Sequence, residues 1–223
     1  MKRQPRQPKQ RGQRAHKNRG QRKARRANIV RRGQNRPASA HQHRTQSTNT
    51  NCFDAPEIWH EPTEDDSVRF IRSKPGKGHF HPVTIAEAKA RIAELPEQFI
   101  TGLDVVQFSP MTKKRAIFPV YGMQWGSTVY LYPIEDSLTE TYSRPPNPQV
   151  VIDSKMYGGK WTQTRNRWTL KWTRKTIRDY YLNNILIHEI GHINDERNSS
   201  YRDREAYANW FAIEYGFKRS SRP

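Results

Sequence analysis

The chain has 223 residues and a mass of 26.3 kDa, with 40 Lys+Arg against 21 Asp+Glu, a formal charge of +19 and only 33% hydrophobic residues. No apolar run reaches the roughly 18 residues that a membrane span requires. The single cysteine, Cys52, rules out an intrachain disulfide and a cysteine-based zinc site.

Charge is segregated along the chain. Residues 1–50 hold 16 Lys+Arg, no Asp or Glu and no aromatic residue; subtraction from the totals leaves 24 basic and 21 acidic side chains on the other 173 residues, with every aromatic. Arg11-Gly12-Gln13, Arg19-Gly20-Gln21 and Arg32-Gly33-Gln34 repeat one short pattern in this segment. Such a composition cannot bury enough apolar surface to fold, so residues 1–52 are expected to be a disordered Arg/Gln-rich basic tail and residues 53–219 one domain. The tail should attract nucleic acid or another polyanion by counterion release, with strong salt dependence and no aromatic stacking platform. A purely solubilising tail is the plainer reading. One cysteine and the lack of a secretory apolar run lead us to expect a cytoplasmic protein with no membrane partner. An Arg-rich transit peptide ranks second, because the tail has no Leu, Phe or Trp for an amphipathic face.

Asp54, Glu57, Glu61, Glu64, Asp65 and Asp66 then form an acidic stretch, read as a solvated linker. Thr84 with Glu87 is a capping box, and Ile85, Ala88, Ile92 and Leu95 continue a helix that Pro96 stops. Leu103–Phe108, Ala116–Tyr121 and Thr128–Tyr132 read as strands, Glu135–Pro148 as a loop, and Val150–Ile152 and Trp168–Trp172 as further strands around a Gly158-Gly159 turn. The pattern is helical to about residue 193 and again over about 201–215. This order predicts an α+β fold with a small, mostly antiparallel sheet.

The first of the C-terminal helices contains His188-Glu189-Ile190-Gly191-His192, an H-E-x-x-H sequence within apolar turns. Residues four apart on a helix lie about 40° apart in azimuth and about 6 Å along the axis, so both imidazoles enter one space. Two neutral imidazoles there suit Zn²⁺. Glu189 sits beside the first ligand and outside the ligand positions, where it can take a proton from zinc-bound water and pass it to a leaving amine. A hydrogen-bonded core pair of histidines and a purely structural zinc site are the competing readings.

No histidine follows His192, which leaves Asp195, Glu196, Asp203, Glu205 and Glu214 as third ligands. Glu196 lies on the same helix stripe and recedes along the axis. A second helix capped by Ser200 with Asp203 places Glu205 on a face with Ala208, Asn209 and Ala212, small residues that allow close approach, while Asp203 and Glu214 turn away. Glu205 is therefore the expected third ligand, against the alternative of an ordinary surface carboxylate.

His188-Glu189-Ile190-Gly191-His192 followed by Glu205-Ala206-Tyr207-Ala208-Asn209 resembles the gluzincin metallopeptidases, whose second helix carries E-x-x-A-[DN], and within them the short soluble ImmA/IrrE-like peptidases. The resemblance spans about residues 180–215. It implies a zincin-like domain, a zinc cofactor, hydrolysis of a protein or peptide substrate, and metal ligation by His188, His192 and Glu205 with Glu189 catalytic. It also implies an edge strand beside the cleft, assigned here to Trp168–Trp172 with a core strand as the alternative. Tyr180, Tyr181, Tyr201 and Tyr207 are open as transition-state donors. The rival function is nucleic-acid binding by the arm, with the folded domain catalytically idle.

Overall fold

The computed structural model describes residues 55–61, 67–117 and 119–220. The basic tail and the acidic residues Asp54, Glu64, Asp65 and Asp66 lie outside the described residues. Four strands, β1 (Arg69–Arg72), β3 (Val105–Phe108), β4 (Gly122–Trp125) and β5 (Thr128–Leu131), form a sheet in the order β1-β3-β5-β4. β1, β3 and β5 pair parallel, and β4 closes the edge antiparallel to β5. The expectation of a mostly antiparallel sheet is thus corrected for the sheet that carries the site. Helix α1 (Ile85–Ala93) lies in the connection from β1 to β3, and such a crossover returns the chain parallel.

The Thr84–Glu87 capping box is present in both directions, with Thr84 N donating to Glu87 Oε2 at 2.8 Å and Glu87 N to Thr84 Oγ1 at 3.2 Å. The two faces of the sheet are covered differently. Val106, Phe108, Val129 and Leu131 join Ala88 and Ile92 of α1 and Ile185, Leu186 and Ile190 in the main core. On the other face, Met123, Tyr130 and Tyr132 form a second cluster. Residues 55–61 lie across it: Tyr130 Oη donates to Ile58 O at 2.8 Å, Trp59 sets its edge on Trp125 at 5.1 Å, and Glu57 pairs with Arg115 at 3.4 Å. Glu57 is therefore a structural ion-pair partner and not part of a solvated linker.

Three readings of the chain are corrected. The strand expected over Ala116–Tyr121 is replaced by a short helix α2 (Lys113–Ile117) that takes in Ala116, and the strand β4 begins only at Gly122. Val150–Ile152 lies within helix α3 (Pro148–Met156), because Asn147 caps it by accepting from Gln149 N at 2.9 Å and Pro148 at its start needs no amide partner. The supposed loop from Glu135 holds β6 (Ile134–Glu135), paired with β2 (His79–Phe80), and β7 (Thr139–Tyr142). β7, β8 (Lys160–Thr164) and β9 (Arg167–Lys171) make a separate antiparallel sheet in the order β7-β9-β8.

The C-terminal third is helical. α4 (Arg174–Tyr180) runs through a π-turn (Tyr181–Ile185) into α5 (Leu186–Ile193), and α6 (Tyr201–Ala212) runs through a second π-turn (Ile213–Phe217) into α7 (Lys218–Ser220). The π-turns pack on each other so closely that a Cβ on Gly216 would stand 1.8 Å from Asn183 O. Widened turns leave backbone carbonyls outside the helical ladder. Asn183 O accepts from Tyr157 Oη at 2.9 Å, and Tyr215 O accepts from buried Arg91, whose Nε also donates to Asn183 Oδ1 at 2.7 Å.

Candidate metal centre

Every residue of α5 from Leu186 to His192 is buried, so its position is dictated by the core. Ile185, Leu186, Ile187 and Ile190 anchor it, and it packs under β4 and β5. The i, i+4 spacing sets His188 and His192 edge to face, 4.7 Å between ring centres, with their Nε2 atoms 3.0 Å apart.

α6 brings the third group. Ser200 caps it as expected, with Asp203 N donating to Ser200 Oγ at 3.1 Å. Ala208 and Phe211 of α6 lie against Gly191 of α5, and this close approach delivers the carboxylate. Glu205 Oε2 stands 3.7 Å from His188 Nε2, and its Oε1 stands 3.5 Å from His192 Nε2. Among the described residues, His188, His192 and Glu205 are the one group of three such side chains that could hold a metal ion, with ligand atoms all within 4.8 Å of one another. Three of the other acidic candidates are engaged elsewhere. Asp195 accepts from Asn198, Asp203 serves the helix cap, and Glu214 pairs with Lys218.

The donor set fits a tetrahedral cation. Nitrogen and oxygen ligands at about 2.0–2.1 Å around zinc stand roughly 3.3 Å apart, a value that the observed 3.0, 3.5 and 3.7 Å bracket. Glu205 Oε1 is buried and receives no hydrogen bond within the described residues. Burial pushes Glu205 up to about 7, partly opposed by the neighbouring Arg204 cation; burial, aided by Arg204, pushes His192 down to about 3. The imidazole is thus neutral, as a metal ligand must be, and a cation would relieve the carboxylate's desolvation.

Glu189 is 1% exposed and its carboxylate lies against β4. A Cβ on Gly122 would meet Glu189 Oε1 at 2.8 Å, so only glycine lets the carboxylate lie against the strand. No local pattern in the sequence signals this contact, which depends on how α5 docks. Arg204 was also missed: its Nη2 donates to His192 O at 3.3 Å and reaches Gln124 Oε1 of β4 at 3.5 Å, joining both helices to the edge strand. Its position one residue before Glu205 was the available signal.

The strand beside α5 is β4. Trp168–Trp172 largely coincides with β9, the middle strand of the other sheet, which is paired on both sides and cannot accept a further strand. Of the tyrosine candidates, Tyr181 is committed to Tyr132 O at 2.7 Å and Tyr180 is buried against Trp172, whereas Tyr201 is exposed and Tyr207 packs on Trp210. No helix among the described residues is long and apolar enough to cross a membrane. No family model, curated protein or solved structure matches the chain.

Proposed function

We propose that the chain is a zinc-dependent metallopeptidase with a zincin-like fold, hydrolysing a peptide bond of a protein substrate. The observation that carries this reading is the arrival of Glu205 from a second helix at two imidazoles one turn apart, while Glu189 stays outside that set and is held against the edge strand. His188, His192 and Glu205 would hold the zinc, which supplies Lewis acidity for the scissile carbonyl and for an attacking water. Glu189 takes the proton of that water and returns it to the leaving amine. β4 stands at the edge of its sheet, where an extended substrate would add as a strand. Glu189→Gln should lower hydrolysis by about 10²–10⁴-fold and keep about one zinc per chain; undiminished proteolysis by this variant would refute the mechanism.

The charge of residues 1–50 favours a second reading, nucleic-acid binding through the arm with an idle domain. Deleting those residues removes none of the described contacts. Salt-sensitive binding of RNA or DNA that survives the deletion would rule this reading out.

A further inference from the structure

β4 leads directly into a cleft. Val120 and Tyr121, just before Gly122, line a cavity of about 570 Å³ together with Ile134–Glu135 and the first residues of β7. That volume is typical of sites that take a small ligand or one or two side chains. Tyr121 adjoins the glycine against which Glu189 rests, so a peptide laid along β4 and continuing past Gly122 carries its side chains over the cleft.

The lining selects among side chains. Val120, Leu138 and Trp172 give apolar surface, while Glu135 and Glu140 supply carboxylates. Glu135 is exposed, and Glu140 accepts hydrogen bonds from Tyr121 Oη, from Tyr142 Oη at 3.2 Å and from Trp172 Nε1 at 2.8 Å. The arginine in the wall, Arg115, is 4% exposed, pairs with Glu57 at 3.4 Å and lies 4.5 Å from the Tyr132 ring centre. An acidic side chain would meet two carboxylates, and a purely apolar one would make no charge contact with them. A long basic side chain lays its methylenes on the apolar wall and brings its charge to the carboxylates.

We infer that this cleft is a specificity subsite that admits an Arg or Lys side chain of the substrate, close to the bond that is cut. The inference rests on the peptidase reading, and binding separates the two. Full-length Glu189→Gln protein loaded with zinc is titrated with labelled alanine-based octapeptides carrying one arginine, one norleucine or one glutamate at each position in turn, followed by fluorescence anisotropy. The best arginine peptide should bind about tenfold more tightly than its norleucine counterpart, with glutamate weakest. Adding Glu135→Gln should remove at least about two-thirds of that advantage without changing zinc content. Equal affinity across the three series, or no measurable binding of the arginine series, overturns the inference. Wild-type protein is then given the same peptides. Arginine preference in binding without cleavage counts against the peptidase reading and keeps the subsite, whereas cleavage without arginine preference does the reverse.

Discussion

Along α5 every residue from Leu186 to His192 is buried, whereas α6 buries only Ala208, Phe211 and Ala212 over twelve residues. The two helices nevertheless share one candidate metal group. His188 and His192 are held by the same contacts that hold the core, so their geometry exists before any ion arrives. Glu205 is 20% exposed and rides on a helix fixed by one stripe, a serine cap and Arg204. A metal held there would find a preformed pair of imidazoles and a carboxylate whose helix it helps to dock, and its binding energy would enter stability through α6.

The largest test of this contrast is Gly216→Val. With a Cβ position 1.8 Å from Asn183 O, the two π-turns must part, and a loss of about 4 kcal/mol or more is expected in urea unfolding. Next comes Glu205→Ala. It should weaken zinc binding by more than about 100-fold, since even groups behind a ligand are worth about 10–100-fold. The unfolding midpoint of the zinc-free protein should barely move, and a large drop would show α6 to be as core-bound as α5.

A control away from both helices is Asp153 in α3, 4% exposed, which burial raises to about 6 against a hydrogen bond from Gln149. Its folded value lies above the unfolded one, so folding takes up a proton. The associated stability is complete below about pH 4 and lost as pH rises through about 6. Asp153→Asn should then gain about 2 kcal/mol at pH 8 and nothing at pH 4, with zinc affinity unchanged. The smallest expected effect is Ser200→Ala, about 1 kcal/mol from the lost cap of α6, read from the shift in thermal midpoint.

Features written in short range were legible in the sequence. The Thr84–Glu87 box, the His188/His192 spacing, the Ser200 cap and the Glu205 face each depend on residues within about two turns. What escaped depends on distant partners or on competing local signals. β1 is a four-residue segment, Arg69-Phe70-Ile71-Arg72, whose strand character comes from parallel pairing with β3 more than thirty residues on. Val150-Val151-Ile152 carries strong strand propensity, yet the Asn147 cap and Pro148 start overrode it. Alternation marks Trp168–Trp172 as a strand, whereas being an edge is a property of the neighbours. The widened turns, and the approach of Glu189 to Gly122, arise only when α5 meets the sheet and α6.

Those widened turns also bear on how the chain tolerates changes in length. A π-turn accommodates one residue more than an α-turn while leaving the flanking helices in phase. Removing one residue from Tyr181–Ile185 would let the rod regularise into α-helix, with α5 still presenting His188 and His192 to Glu205. The same deletion made between the two histidines would rotate His192 by about 100° out of the site. The stretch just before α5 is thus a length buffer, where a deletion keeps the helix in phase at the cost of the Asn183 contacts, a few residues from chemistry that tolerates none.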